Sequence, residues 1–304
     1  MNLSVEPLKI GIIGLDTSHV TAFTAILNDS NHPYHVPGGR VVAAYPGGSA
    51  DFELSRSRVA GYTETLSSTY GVDIMDDIEE VAASCDAILL ESVDGRVHLE
   101  QFSKLAPYGK PVFIDKPLAV TSEHAISIAK LANQYEVPFM SCSALRYAEG
   151  LTSSIADESL GRVLGVDCYG PMEIQPTQPG LFWYGIHTAE MMYTVMGTGC
   201  REVIAVSNTD YDLITGIWHD CRIGTLRGNR KGNRQFGALL HREQGTAFAD
   251  VYANPKPYYA SMLERIMDMF HSGHSPVSMG ETLEIIRFLE AANESRSTGS
   301  PVML

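Results

Sequence analysis

The feature that most constrains this chain is a repeated order of short apolar strand, tight turn and periodic helix. The first apolar run, 8–14, is rich in isoleucine and ends in a glycine turn, and a helical segment, 20–27, follows directly. The pattern then recurs, with predicted strands at 40–45, 87–91, 111–114 and 137–141 and predicted helices within 52–70 and at 77–83, 97–106 and 121–135. Alternating strands and helices with short connections predict a doubly wound parallel sheet covered on both faces.

The second half of the chain has a different pattern. Strand-like runs follow one another at 163–169, 202–208, 213–219, 222–228, 237–241 and 247–252, and helices are predicted at 182–196, 258–270 and 281–294. Consecutive strands without helices between them predict a largely antiparallel sheet with helices on one side. The fold class expected is therefore α/β, with a doubly wound parallel sheet followed by an α+β domain whose sheet is open and largely antiparallel.

Charge and cysteine content exclude several classes of partner. The chain has 22 Lys and Arg against 36 Asp and Glu, a formal charge of -14, so it should repel nucleic acid and anionic lipid. No apolar run approaches the roughly 20 residues that span a bilayer, and the first ten residues lack the pattern of a signal peptide, so we expect a cytoplasmic protein. The five cysteines are widely spaced without a Cys-x-x-Cys pair, which indicates reduced thiols. Two histidine pairs, His32 with His35 and His271 with His274, lie in predicted loops without a nearby carboxylate, so no metal site is expected.

The turn after the first strand carries the first candidate chemistry. It reads Gly14-Leu15-Asp16-Thr17-Ser18-His19, where a dinucleotide-binding turn usually reads Gly-x-Gly-x-x-Gly. Two interpretations remain open. The hydroxyl groups of Thr17 and Ser18 can donate to a phosphate, or one of Asp16, Thr17 and Ser18 simply caps the following helix.

The second predicted strand lacks the acidic residue that usually binds the adenosine ribose, because it ends Tyr45-Pro46. Ser49 with Arg56 or Arg58 would accept a 2'-phosphate and favour NADP. The other interpretation is that the two arginines are solvated.

Two side chains have the chemistry of acid-base catalysis. Lys116, in Asp115-Lys116-Pro117 at the end of a parallel strand, can hydrogen-bond a substrate hydroxyl and stabilise a developing alkoxide. His187, near the start of a predicted helix, can take a proton near neutral pH, with Glu190 to orient it. A surface lysine and a structural histidine are the alternatives. His98 opens a helix and either closes a cofactor crevice or packs.

Taken together these residues resemble the Gfo/Idh/MocA family, named for glucose-fructose oxidoreductase, inositol dehydrogenase and MocA. The matching elements fall in family order over essentially the whole chain: Gly11-Ile12-Ile13-Gly14, His98, Asp115-Lys116-Pro117-Leu118-Ala119, Gly185-Ile186-His187 with Glu190, and the tail from Ala291 to Val302. The resemblance implies a Rossmann dinucleotide-binding domain at 1–120, with an edge strand and helix extending to about 145. It also implies a substrate and oligomerisation domain at 146–304, whose C-terminal helix packs back toward the first domain.

The resemblance also implies roles for particular residues. Lys116 and His187 would be catalytic, and Trp183, Tyr184 and Glu190 would contact a carbohydrate-like substrate. NAD or NADP would be bound by Gly14, Asp16, Thr17, Ser18, His19, Ser49, Ser92, His98, Asp115 and Lys116. A homo-oligomer, either a dimer or a tetramer, would be expected.

One position departs from the family. Family dehydrogenases carry an Asp four residues before the histidine, whereas this chain has Trp183, whose ring can instead stack on a sugar face. The leading hypothesis is an NAD(P)-dependent dehydrogenase of a sugar, polyol or related hydroxy compound. The alternatives are a relative that binds a ligand without nucleotide turnover and a non-redox epimerase or lyase with tightly bound NAD.

Overall fold

The computed structural model describes residues 6–304. The strands are β1 (Leu8–Ile13), β2 (Gly39–Tyr45), β3 (Asp73–Ile74), β4 (Ala87–Leu90), β5 (Val112–Ile114), β6 (Phe139–Met140), β7 (Val163–Pro171), β8 (Cys200–Ser207), β9 (Tyr211–Trp218), β10 (Ile223–Asn229), β11 (Gly237–Arg242), β12 (Gly245–Asp250) and β13 (Val302–Met303). The helices are α1 (His19–Asn28), α2 (Glu53–Arg56), α3 (Val59–Tyr70), α4 (Ile78–Ser84), α5 (His98–Leu105), α6 (Ser122–Gln134), α7 (Glu149–Ala156), α8 (Gly185–Met196), α9 (Tyr258–Ser272) and α10 (Met279–Thr298). Short 3-10 turns lie at Ala106–Tyr108, Ala144–Tyr147 and Gly180–Phe182.

The chain forms two compact units. Unit 1 contains the described residues up to Ala119 together with Glu123–Ser141 and Tyr259–Ser278, and unit 2 contains Val120–Ser122, Cys142–Tyr258 and Met279–Leu304. The expectation about a signal peptide falls partly on residues 1–5, which lie outside the described residues.

The sheet of unit 1 is parallel. Among the described residues its strand order is β3-β2-β1-β4-β5-β6, and every pair of neighbours runs in the same direction. All four residues of β4 and all three of β5 are buried, as expected of strands covered on both faces. The order reverses between β1 and β4, so the carboxyl ends of those strands flank the position where such sheets bind ligands. The predicted doubly wound α/β fold is confirmed.

Unit 1 is completed by a helix from late in the chain. Tyr259 of α9 packs edge-on against Phe23 of α1, with ring centroids 5.5 Å apart. A Cβ added to Gly39 would lie 2.8 Å from Cε of Met267, so α9 also lies directly against the start of β2. The last helix, α10, belongs to unit 2.

The sheet of unit 2 is mixed and largely antiparallel, as predicted. Its order in the described chain is β12-β11-β7-β10-β9-β8-β13, and the pair β7 with β10 is parallel. Met192 of α8 and Phe288 of α10 lie against glycines on one face of this sheet. On the opposite face the apolar side chains of Leu213, Ile223, Leu239 and Phe248 are exposed.

Several elements differ from the sequence prediction at their ends. Helix α8 begins at Gly185, and the predicted first turn at Phe182 is part of a 3-10 turn. The two-residue strands β3 and β13 and the helix α7 were not predicted, because such short segments carry no clear periodicity. None of the helices within residues 6–304 combines the length and apolar character needed to cross a bilayer.

Candidate active site

The turn at Gly14 is shaped by close contacts between neighbouring loops. Gly14 has a φ of +88°, and a Cβ added there would overlap the backbone of Ser92 at the end of β4. The amide of Gly14 donates to the carbonyl of Tyr45 at 2.9 Å, and the amide of Leu15 donates to the carbonyl of Pro46 at 2.7 Å. A glycine is therefore required at this position for steric and conformational reasons.

Asp16, which stands where the family has its second glycine, ties three loops together. The side chain is fully buried, and its Oδ1 accepts from the amide of Val93 at 2.9 Å while its Oδ2 accepts from Oγ of Ser55 at 2.6 Å. The same Ser55 hydroxyl accepts from the amide of Ser49 at 2.8 Å. Burial raises the pKa of Asp16, although the hydrogen bonds from Ser55 and Val93 act against this shift. The carboxylate is thus turned inward and satisfied by protein donors.

The capping interpretation of the turn does not hold for these side chains. Ser18 occupies the N-cap position of α1, but its side chain makes no capping hydrogen bond. The Thr17 hydroxyl lies 3.5 Å from the amide of His19, at the limit of a hydrogen bond. Both hydroxyl groups therefore stay candidates for a bound phosphate, since they lie just before a helix N-terminus.

Of the residues suggested for a 2'-phosphate, Ser49 and Arg56 lie in different settings. Ser49 is buried, whereas Arg56 is mostly exposed and forms an ion pair with Glu53 on the same short helix. The structure agrees with the interpretation of Arg56 as a solvated side chain.

Three buried ionisable groups meet at the carboxyl ends of β1, β4 and β5. Nδ1 of His19 lies 3.2 Å from Oδ2 of Asp115 and 3.4 Å from Oε2 of Glu91. Burial alone would lower the pKa of His19, but Asp115 and Glu91 outweigh it and raise that pKa to about 9. Burial raises the pKa of Glu91 to about 7, whereas Lys116 and His19 together overcome burial and hold the pKa of Asp115 below its usual range. The cluster is held together by attraction between opposite charges.

Lys116 lies beside this cluster, and His98 holds the segment that carries it. Nζ of Lys116 is 3.8 Å from Oδ2 of Asp115, and only 11% of the lysine side chain is exposed. Nε2 of His98 lies 2.7 Å from the carbonyl of Ser92, and Nδ1 lies 3.0 Å from the carbonyl of Pro117. His98 is fully buried, so it joins the loop after β4 to the Lys-Pro segment as a packing residue.

In unit 2, His187 is held by a residue that the sequence analysis did not identify. Its Nδ1 lies 2.7 Å from Oγ of Ser143, and Ser143 is fully buried. The His187 ring also makes edge contacts with Tyr184 at 5.6 Å and with Phe236 at 5.7 Å. The Trp183 ring lies 6.2 Å from that of Tyr184, so both predicted substrate residues lie in one aromatic group with His187.

Glu190 has a different partner from the one expected. Its Oε2 accepts from Nε of Arg146 at 2.9 Å, and Arg146 also forms an ion pair with Glu281. Burial raises the pKa of Glu190 to about 7, although Arg146 acts against this shift. Since Glu190 is bound to Arg146 while Nδ1 of His187 is bound to Ser143, the expectation that Glu190 orients this ring is corrected.

Glu91, Ser143 and Arg146 belong to the site but were not among the residues predicted from the sequence. Glu91 has a sequence signal, since an acid directly after the all-apolar strand β4 must lie at the carboxyl edge of the sheet. Ser143 and Arg146 precede His187 by some forty residues, and no spacing rule relates them to it.

The residues at the edge of the unit 1 sheet fit a dinucleotide. The Gly14 turn has the required backbone, and the Asp16 carboxylate is already satisfied inward. Within the described chain the buried Oγ of Ser92 has no hydrogen-bond partner, so this hydroxyl group beside Gly14 can donate to a bound ligand. Thr17, Ser18, Ser92 and Lys116 are the residues that would hold such a cofactor.

Comparisons with known proteins agree with this geometry. Residues 8–142 match the sequence model of the family Gfo/Idh/MocA, described as an oxidoreductase family with an NAD-binding Rossmann fold. No curated protein sequence matches the chain.

Solved structures of low sequence identity share the fold over nearly the whole chain. A probable dehydrogenase from Thermotoga maritima is 17% identical, with a TM-score of 0.79 over 97% of this chain and 99% of that one. GenD2 from gentamicin A biosynthesis, in complex with NAD, is 18% identical, with a TM-score of 0.78 over 99% and 97%. Myo-inositol dehydrogenase from Lactobacillus casei, in complex with NAD(H) and myo-inositol, is 16% identical, with a TM-score of 0.77 over 98% and 97%.

The family match, the order of the parallel sheet and the Lys-Pro segment at the end of β5 all concern the same part of the chain. Residues 8–142 therefore form a Rossmann domain that is similar to the NAD-binding domain of the Gfo/Idh/MocA oxidoreductase family.

Proposed function

We propose that this protein is an NAD(P)-dependent dehydrogenase of a sugar, polyol or related hydroxy compound. The observation that carries the proposal is the position of Lys116, whose ammonium group stands at the carboxyl end of β5 in a sheet of the NAD-binding family. When bound, NAD(P) would supply the hydride acceptor at its nicotinamide ring.

The proposal gives Lys116 the role of stabilising negative charge. An ammonium group that is mostly shielded from water interacts strongly with an oxygen on which charge develops. The adjacent Asp115 limits the positions of the Nζ atom of this lysine, because the two opposite charges lie 3.8 Å apart.

His187 is proposed as the general acid-base group. Ser143 binds Nδ1, so we assign proton exchange with the substrate hydroxyl to Nε2 of the same ring. Tyr184 lies beside this ring and Trp183 lies beside Tyr184, and flat aromatic surfaces of this kind suit the apolar face of a sugar. Glu190 acts on the site through Ser143, whose amide donates to it and whose side chain binds His187.

The assembly proposed is a homo-oligomer formed through the open face of the unit 2 sheet. Leu213, Ile223, Leu239 and Phe248 are each 39% to 56% exposed on neighbouring strands of this face. Large apolar side chains exposed on one face of a sheet are typical of an interface between protein chains.

The experiment that tests the function has two steps. Calorimetric titration with NAD, NADH, NADP and NADPH establishes nucleotide binding, and absorbance of the reduced nicotinamide is then followed with a panel of inositols, aldoses and sugar acids. We expect binding in the micromolar to low millimolar range, and turnover that falls at least about 100-fold in Lys116→Ala and in His187→Asn.

The outcomes distinguish the proposed function from its rivals. Full activity of folded Lys116→Ala refutes the assigned role of this lysine. A folded wild-type protein that binds no nucleotide at millimolar concentration indicates a ligand-binding relative. Cofactor that co-purifies and never accumulates in reduced form indicates a non-redox epimerase or lyase.

A further inference from the structure

The buried cluster of His19, Glu91 and Asp115 has a feature that its role at the sheet edge does not explain. Both oxygens of Glu91 are fully buried, and within residues 6–304 neither has a hydrogen-bond partner. Nδ1 of His19 and Oδ2 of Asp115 also lack a hydrogen bond of good geometry in the described chain, although they lie close together. Buried carboxylate oxygens without donors are costly, so each such group requires an explanation.

We propose that His19, Glu91 and Asp115 bind a divalent transition-metal ion such as Zn²⁺ or Mn²⁺. Imidazole nitrogen and carboxylate oxygen are the ligands that these ions prefer. The three ligand atoms lie within 4.8 Å of one another. This inference does not rest on the proposed dehydrogenase function.

The two separations measured from His19 fit the coordination of an ion as well as they fit long hydrogen bonds. Two ligand atoms about 2.1 Å from one ion lie about 3.4 Å apart in a tetrahedral site and about 3.0 Å apart in an octahedral site. The observed separations from Nδ1 of His19 are 3.2 Å to Asp115 and 3.4 Å to Glu91. An ion among these atoms would also satisfy Glu91, which a single N–H group at Nδ1 shared between two carboxylates does not.

The ligands are held in place by the surrounding fold. The amide of Glu91 donates to the carbonyl of Ile13 at 2.7 Å, and the amide of Asp115 donates to the carbonyl of Leu90 at 2.8 Å, so both carboxylates are fixed at ends of adjacent strands. The His19 ring stacks on Phe23 at 5.2 Å and meets the edge of the Tyr259 ring at 5.0 Å. A preorganised set of ligands is what a metal site requires.

Charge and access also allow an ion to bind. Two carboxylates face one ammonium group, that of Lys116, which lies 3.8 Å from Asp115 and contacts it from one side. The ligand atoms are buried, but the side chains of His19 and Lys116 are each 11% exposed, so solvent lies within one side chain of the cluster. Water molecules would complete the coordination sphere, since three protein ligands leave at least one position open.

The test is metal binding by tag-free protein that has been stripped with chelator and dialysed. Calorimetry with Zn²⁺, Mn²⁺ and Mg²⁺, together with elemental analysis after desalting, measures affinity and stoichiometry. The visible spectrum after loading with Co²⁺ reports nitrogen and oxygen coordination directly. We expect one Zn²⁺ or Mn²⁺ per chain, with Mg²⁺ binding weakest because it favours oxygen ligands.

Variants separate this site from chance binding elsewhere. Glu91→Gln and Asp115→Asn keep the side-chain shape and should each weaken metal binding at least about 100-fold. The matched control is His241→Gln, because His241 lies 2.8 Å from Asp167 in an exposed pair with a single carboxylate. This control should bind the ion as the wild type does.

Three results would overturn the proposal. The first is wild-type protein that binds no metal ion in a stoichiometric amount. The second is a folded Glu91→Gln variant that binds the ion as tightly as the wild type. The third is loss of metal binding in His241→Gln. Circular dichroism establishes whether each variant is folded. If Glu91→Gln does not fold, the metal affinity of Asp115→Asn is compared with that of the wild type instead. Nucleotide binding by the same samples is measured in a separate titration. A protein that binds nucleotide and no metal ion would therefore refute the metal site and leave the dehydrogenase proposal intact.

Discussion

Replacing Asp16 should show whether this carboxylate stabilises the fold. The change Asp16→Ala leaves the Val93 amide and the Ser55 hydroxyl without their acceptor in a fully buried place. Each buried donor that loses its partner costs about 1–3 kcal/mol. Part of this cost is recovered, because the change also removes a carboxylate whose pKa is raised by burial. We therefore expect a net loss of about 2–4 kcal/mol in the free energy of unfolding.

The size of the effect is tested by comparing variants. Asp16→Asn keeps an oxygen for the Val93 amide and loses the acceptor for Ser55, so its loss should be about 1 kcal/mol. The matched control is Asp29→Ala, which removes an acceptor of the exposed Asn31 amide in the same unit and should change stability by less than about 0.5 kcal/mol.

The assay is urea unfolding followed by circular dichroism, with attention to the transition of unit 1, because two units need not unfold together. The order expected is wild type, then Asp16→Asn, then Asp16→Ala as the least stable. If Asp16→Ala is as stable as Asp29→Ala, the three-loop tie contributes nothing measurable and the reasoning fails.

Three further predictions concern unit 2. The pKa of Glu190 is about 7 in the folded chain and 4.5 in its ordinary state. Between these pH values the folded chain therefore binds a proton that the unfolded chain has lost. The free energy of unfolding should fall by about 3 kcal/mol as the pH rises from 4.5 to 7. Glu190→Gln should flatten that slope in pH-dependent urea unfolding, and identical slopes would contradict the prediction. Ser143→Ala should lower kcat up to about 100-fold and move the pH profile set by His187, with Ser143→Thr restoring both; an unchanged profile would show that Ser143 is only structural. The double change Leu239→Asp and Phe248→Asp should convert the proposed homo-oligomer to monomer in light scattering, and an unchanged mass would contradict the assignment of this face as the interface.

The regular elements of the fold follow closely from local patterns in the sequence. The helix predicted at 77–83 is α4, and the side chain of Asp77 accepts from the amide of Glu80 at its start. The apolar run of β4 likewise predicted a strand buried on both faces. By contrast, β3 is two residues long and carries too few side chains for any periodicity to be visible.

The candidate site could be predicted only in part. Lys116 and His187 were recognised from motifs that are local in the chain. The cluster of His19 with Glu91 depends on the adjacency of β1 and β4, which is set by the strand order and not by any short segment. The role of Ser143 depends on a hydrogen bond across 44 residues, so the sequence favoured the nearer Glu190 as the partner of His187.

The return of α9 to unit 1 bears on how the chain reaches its native state during synthesis. Because Tyr259–Ser278 completes this unit, the ribosome must synthesise the chain through residue 278 before unit 1 can close its core. Phe23 and the start of β2 remain uncovered until then. A nascent or truncated product ending near residue 142 would thus be a target for chaperones and a poor choice for expression as an independent nucleotide-binding fragment.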